Sequence, residues 1–236
     1  MNLILLLPED TIDGAGRVQL RGRRLRHVLE VHRAEKGDEL RVGLLGGRMG
    51  MGRVLDITSD VLEMEVRLDS EPPKPLPLSL ILALPRPKVL RRVLRTVSSL
   101  GVKRIILINS RRVEKSFWQS PFLGTEAMNE QLMLGLEQAR DTLLPEIRLC
   151  PLFNPFVEDE LPGLVQSTLP LVAHPIALTE CPRNTDQAVT LAIGPEGGFI
   201  PYEVEKFVSA GFTPIHLGER ILSVETAVPA LISRLF

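Results

Sequence analysis

The sequence predicts an α/β protein with a small β-rich domain ahead of it. Three observations predict it. Short apolar runs broken by turn residues fill the first 70 residues, a proline-rich stretch follows, and apolar runs then alternate with amphipathic ones to the end of the chain.

In the first part, residues 3–7, 40–42, 54–57 and 62–68 read as strands, punctuated by Gly37-Asp38, Gly43 and Gly46-Gly47. One helix is expected over residues 23–32, where Leu25, Val28, Leu29 and His32 recur at helical spacing. SEPPKPLPL, residues 70–78, carries four prolines, which favour an extended linker. The expected division is therefore 1–70 as the small domain, 71–77 as the linker and 78–236 as the larger domain.

In the larger domain, residues 78–84, 104–108, 147–149, 169–173, 189–193 and 213–217 read as strands. Helices are expected over 87–100, 122–140, 201–210 and 224–236. Val89, Leu90, Val93, Leu94, Val97 and Leu100 share one face of the first of these, and Gly101 closes it. Pro201 opens the third helix and Gly211 ends it. Repeated βα units imply a parallel sheet with helices on both faces.

Composition narrows the function classes. The chain has 236 residues, 44% of them apolar and 24% charged, with a net charge of −1. No apolar run reaches the ~18 residues of a membrane span, and the N-terminal run lacks the cationic start of a signal peptide. Two cysteines without metal-type spacing suit a reduced cytoplasmic compartment, and no Cys/His cluster of the zinc type occurs. Positive charge is concentrated: ten Lys/Arg against four Asp/Glu over residues 17–53, and ten against one over 86–115. Such stretches either attract phosphates or are solvated helix faces.

Two late loops carry the chemistry. LAIGPEGGF runs from an apolar strand into Gly194, Pro195, Glu196, Gly197 and Gly198, and then into a helix. Ligands of open α/β sheets bind at the carboxyl ends of strands, and glycine lets a ligand lie on the backbone. The run is neither a Walker loop nor GxGxxG, and Glu196 would repel a polyphosphate; a ligand with a positive centre and hydroxyls fits better. The same glycines also suit a tight turn needed for geometry alone. LGERILSVETA follows from another strand end: Leu217 and Gly218, then Arg220, Ile221, Leu222 and Ser223, then Glu225 in the first turn of a helix. Glu225 equally serves as a helix cap, and Arg220 as a surface cation.

GPEGGF followed by LGERIL and ETA resembles the RsmE family, the SPOUT-class methyltransferases that modify uridine N3 in small-subunit ribosomal RNA. RHVLEVHRAEKGDEL (26–40) and LEQARDTLLPEI (136–147) are similar to further segments of that family, so the resemblance runs along almost the whole chain. It implies a PUA-like β-barrel at the N-terminus and a C-terminal SPOUT α/β domain with a trefoil knot. It also implies a homodimer and S-adenosyl-L-methionine as cofactor. That cofactor would be held by His174, Gly194, Glu196, Gly197, Gly198, Leu217, Gly218, Ile221, Leu222 and Ser223. The expected partner is 16S rRNA or the small ribosomal subunit.

Methylating an imide nitrogen needs orientation, removal of a proton and stabilisation of negative charge. The candidates are Arg220, Glu225 and Glu196. Arg220 is assigned to the developing charge, and Glu225 to positioning the base edge or orienting an arginine. His174 contacts cofactor or target, or is structural. Arg23, Arg24, Arg26 and Arg33 in the small domain, and Arg86, Lys88, Arg91, Arg111 and Arg112 in the larger one, are the expected RNA contacts. With 4% aromatic residues, recognition of folded RNA shape is favoured over reading of a long single strand.

The chain departs from the family pattern at Ser223, where an arginine is usual, at residues 96–101 and at residues 109–112. Either Arg111 or Arg112 takes over the missing charge, or the substrate differs, or activity is reduced. The alternatives are another RNA target for a SPOUT methyltransferase, and a non-catalytic RNA-binding or ribosome assembly factor.

Overall fold

The structure, a computed structural model, describes residues 3–11 and 16–236. Residues 1–2 and 12–15 of the expected small domain lie outside the described residues. The chain divides into two units: Met1–Lys74 with Leu132–Leu144, and Pro75–Gln131 with Pro145–Phe236.

In the first unit β1 (Ile4–Leu6), β2 (Arg17–Leu20), β3 (Glu39–Leu44), β4 (Met49–Ile57) and β5 (Leu62–Ser70) form one sheet in the order β1-β3-β4-β5-β2. β1 and β3 are parallel; the other pairs are antiparallel. Helix α1 (Gly22–His27), extended by a wider turn over Val28–His32, lies between β2 and β3 in sequence. Leu20, Leu25, Val28, Val42, Leu62 and Met64 are in one buried cluster. Gly50 is needed where β4 crosses a register shift: a Cβ there would sit 1.9 Å from the Arg67 carbonyl oxygen.

The segment Leu132–Leu144 also belongs to this unit, although the sequence pattern places it with the larger domain. Leu136 is buried with Leu3 and Leu5, the Thr142 hydroxyl donates to the Gly47 carbonyl at 2.5 Å, and Glu137 is fully buried. Arg23 donates to both Glu137 oxygens, at 3.0 and 2.8 Å. Arg24 bonds both oxygens of Asp10 and, at 2.9 Å, the Leu5 carbonyl. These two guanidiniums, expected on RNA, are engaged in holding the unit together. A buried carboxylate requires such a partner, and that requirement is invisible when the partner lies far along the chain. Arg26 and Arg33 are exposed.

The second unit is a seven-stranded parallel sheet. Its strands are β6 (Leu78–Ala83), β7 (Arg104–Ile108), β8 (Glu146–Cys150), β9 (Leu169–Ala173), β10 (Thr179–Glu180), β11 (Val189–Ile193) and β12 (Thr213–His216), in the order β10-β12-β9-β11-β6-β7-β8. Every pairing in it is parallel. All residues of β6 and β11 are buried, as expected of strands covered on both faces. The helices are α2 (Pro87–Ser99), the part of α3 (Thr125–Ala139) up to Gln131, the short α4 (Phe153–Pro155) and α5 (Leu161–Leu164), α6 (Pro201–Ser209) and α7 (Val224–Leu235). α2 buries Val89, Leu90, Val93, Leu94 and Val97. Gly101, at φ +84°, ends it, with Val102 N–H donating to Val97 O and Gly101 N–H to Ser98 O.

β2, β10 and the helical turns between 153 and 164 are not expected from the sequence. No helix among the described residues is long and apolar enough to cross a membrane.

Candidate active site

β9, β11 and β12 end side by side, and the loops that leave them surround a cavity of about 370 Å³. This is the position at which open parallel sheets bind ligands, and the volume falls in the range of small-molecule sites. Ile193, Ile215 and Leu231 contribute apolar lining. Two glycine loops contribute backbone groups. The first turns at Gly198, at φ +70°, with Gly198 N–H donating to the Pro195 carbonyl at 2.7 Å. It is tightly folded: a Cβ on Gly194 would lie 2.8 Å from Phe199 N and 3.1 Å from Gly198 C and Cα. The second turns at Gly218, at φ +115°, whose N–H donates to His216 Nδ1 at 3.0 Å. That bond leaves the proton of a neutral His216 on Nε2. His216 lines the cavity and was not singled out from the sequence; a lone histidine at a strand end carries no local signal.

Of the residues expected at a cofactor, His174, Gly194, Glu196, Gly197, Gly198, Leu217, Gly218, Ile221 and Leu222 line the cavity. Ser223 does not: it is exposed, stands before the first turn of α7, and its hydroxyl lies 3.0 Å from that of Thr226. Arg220 also lines the cavity. Glu196 accepts from Arg86 N–H at 3.0 Å and so ties the first glycine loop to the start of α2.

Glu225 is not among the lining residues. It pairs with Arg92 of α2 at 3.0 Å. Arg92 was missed because only helix geometry brings α2 and α7 together.

The expected RNA contacts of this unit divide. Arg86, Lys88 and Arg91 are exposed at the N-terminal half of α2, with Arg91 over the Phe122 ring at 4.6 Å. Arg111 and Arg112 follow β7, and Arg112 lines the cavity, with its guanidinium donating to the Gly197 carbonyl. Beneath them Glu203, buried in the first turn of α6, accepts from Arg111 N–H at 2.6 Å and from Ile200 N–H at 2.9 Å.

Residues 72–236 match the family model described as an RNA methyltransferase domain. Ribosomal RNA small subunit methyltransferase E of Treponema pallidum is 31% identical over 241 residues, covering 98% of this chain and 88% of its own length. The protein of that name from Synechocystis sp. is 26% identical, with 95% and 73% covered. Among solved structures, ribosomal RNA small subunit methyltransferase E from Neisseria gonorrhoeae, bound to S-adenosyl methionine, aligns with a TM-score of 0.74 at 21% identity, covering 98% of this chain and 95% of that one. A methyltransferase from Legionella pneumophila, in complex with the bound cofactor SAM, aligns with a TM-score of 0.75 at 22% identity over 99% and 96%. With its larger unit matched throughout and its identity to a relative extending along nearly its full length, the chain belongs to the RNA methyltransferase family that contains ribosomal RNA small subunit methyltransferase E.

Proposed function

We propose that this protein transfers the methyl group of S-adenosylmethionine to N3 of a uridine in 16S rRNA of the small ribosomal subunit. The observation that carries the reading is the cavity at the ends of β9, β11 and β12, bordered by two glycine loops in a chain of this family. The residues fit the cofactor. Apolar side chains suit an adenine ring, backbone groups of the loops suit hydroxyls and ring nitrogens, and the Glu196 carboxylate suits a positive centre. The structures from Neisseria gonorrhoeae and Legionella pneumophila that share the fold were solved with this cofactor.

When bound, S-adenosylmethionine supplies an electrophilic sulfonium methyl. The chain's own part is to hold the target nitrogen in line and to stabilise the anion left when the imide proton departs. Arg220 lies at the cavity and takes that role, and Glu225 fixes Arg92 on the neighbouring helix. Glu196 borders the cavity as the candidate proton acceptor and also fastens the glycine loop through Arg86 N–H. Arg26, Arg33, Arg86, Lys88, Arg91 and Arg111 contact phosphates, which position the RNA without choosing its sequence.

The same reading includes a trefoil knot with its loops at residues 194–198, 217–223 and 173–175, a PUA-like first unit, a homodimer and a cytoplasmic location. β11 enters the sheet between β9 and β6, and the end of α7 is bonded to the 184–185 segment through Asn184 N–H to Arg234 O and Thr185 N–H to Leu235 O. Exposed Ile176, Leu178 and Ile221 beside the cavity suit a subunit interface.

The test is methyl transfer from labelled S-adenosylmethionine to small subunits lacking the modification, followed by nucleoside analysis. Label in N3-methyluridine is expected. Label in another nucleoside would move the target, as the Ser223 departure allows, and no incorporation with no cofactor binding would leave an RNA-binding assembly factor.

A further inference from the structure

We infer that Arg112 is a second cation for the target base and that Glu203 is the residue that positions it. This rests on the methyl transfer proposed above. Arg112 lies on the loop after β7, distant in sequence from both glycine loops, yet its side chain crosses the first of them. Its guanidinium donates to the Gly197 carbonyl, and a Cβ on Gly197 would lie 2.9 Å from Arg112 Cδ. Arg112 is exposed on its other side and lines the cavity, and among the described residues the lining cations of Lys or Arg type are Arg112 and Arg220. A guanidinium bound to a loop carbonyl through one nitrogen keeps further N–H groups for a substrate. At the cavity mouth, the group they would meet is the base whose nitrogen is alkylated, because negative charge spreads onto its carbonyl oxygens once the imide proton leaves.

Glu203 explains how a flexible side chain is held there. The residue is 3% exposed, and both carboxylate oxygens accept backbone N–H groups: Arg111 on the β7 loop at 2.6 Å and Ile200 at the head of α6 at 2.9 Å. One carboxylate thus joins the loop carrying Arg112 to the end of the glycine loop that Arg112 crosses. The loop is fixed at its other side as well, where Asn109 Oδ1 accepts from Trp118 Nε1 at 3.0 Å and Asn109 N–H donates to the Cys150 carbonyl at 3.1 Å. Only a carboxylate accepts on both oxygens; the amide of a glutamine turns a donor toward one of the two N–H groups. Glu203 is therefore a positioning residue acting through Arg112, not a group that touches the substrate.

The experiment compares Arg112→Gln, Arg112→Lys, Glu203→Gln and the Arg112→Gln/Glu203→Gln pair. It measures cofactor affinity by calorimetry, thermal melting, and single-turnover methyl transfer to small subunits as a function of pH. Arg112→Gln is expected to bind S-adenosylmethionine within ~3-fold of wild type while the transfer rate falls ~100-fold, the scale of losing one oriented donor to a developing anion. Its rate should keep rising to higher pH than that of wild type, because the imide then loses its proton without help. Glu196, His174, His216 and Arg220 also face the cavity and are unchanged in every variant. Arg112→Lys should recover part of the rate. Glu203→Gln should lose ~10-fold, and the double variant should be no slower than Arg112→Gln alone.

Multiplied losses in the double variant would overturn the positioning role of Glu203. Loss of cofactor binding in Arg112→Gln, or an unshifted pH profile, would overturn the role of Arg112. Arg112 is exposed, so its variant tests the proposal even if Glu203→Gln melts early. Absence of cofactor binding in the wild type would instead sink the methyl-transfer reading itself.

Discussion

Substituting Gly194 by alanine probes whether the first glycine loop must be as tight as it is. The added Cβ would lie 2.8 Å from Phe199 N and 3.1 Å from Gly198 C and Cα, all backbone atoms. No side chain can swing aside, so the loop must open by several tenths of an ångström. Overpacking of that kind costs about 1–3 kcal/mol. The cost emerges as lost stability if the native loop is retained, or as weaker cofactor binding if the loop relaxes. Gly198→Ala is the control: its Cβ meets nothing within 4 Å, so only the left-handed φ of +70° penalises it, by about 1–2 kcal/mol. Urea melts and calorimetric titration with S-adenosylmethionine on both variants measure the two contributions. For Gly194→Ala their sum should fall in the 1–3 kcal/mol range, which is about 5- to 150-fold in an equilibrium constant. Binding should weaken more in Gly194→Ala than in Gly198→Ala. A Gly194→Ala protein that melts and binds like wild type would refute the close-contact argument.

Other perturbations test other parts of the molecule. Glu137→Ala removes the buried carboxylate that accepts from Arg23; urea melts should show a loss of about 2 kcal/mol, below the 3–5 kcal/mol of a fully buried pair because Arg23 is 44% exposed. Burial raises the Cys181 thiol from its ordinary 9.0 to about 11, so the unfolded chain ionises first and stability falls as pH rises from 9.0 to about 11. Equilibrium melts of Cys181→Ser should lack that fall. Burial, aided by the neighbouring His32 and Arg23, lowers His27 below its ordinary 6.5. The stability it contributes is present above pH 6.5 and is lost as pH falls toward the lowered folded value, and a His27→Gln variant should have a shallower acid limb in pH-dependent melting. Replacing Arg86, Lys88 and Arg91 together by alanine should weaken RNA binding and flatten its dependence on salt by about 0.7 log units per phosphate contact removed. An unchanged slope in filter binding at several salt concentrations would take that face off the RNA.

The parts of this molecule that a reader of the sequence can find are those whose cause is local. The α2 apolar stripe and Gly101 at its end are set by side-chain spacing and by a left-handed backbone position, and both are spelled out within a dozen or so residues. The position of the glycine loops is legible for the same reason, since glycines following an apolar strand mark a tight turn at a strand end whether or not a ligand lies on it. The rest depends on partners far along the chain. Nothing near Leu132–Leu144 says that Leu136 is buried with Leu3 and Leu5, and nothing near Arg23 says that its guanidinium meets Glu137. The sequence names Arg112 only as one of two candidates for the charge missing at Ser223, because its place against Gly197 depends on a strand order that no periodicity encodes. Ser223, expected at the cofactor, misses the cavity by standing at the turn into α7, where only its φ and ψ decide which way it faces.

The insertion of β11 between β9 and β6 has a consequence for the newborn chain. Roughly a hundred residues separate β6 from β11, and at ~5–20 residues per second the ribosome takes about 5–20 s to deliver them. Throughout that interval one edge of β6, a strand buried along its whole length in the finished sheet, has no strand to pair with. Until residue 216 has cleared the exit tunnel the three strand ends that border the cavity cannot come together, so ligand cannot assist the early steps of folding.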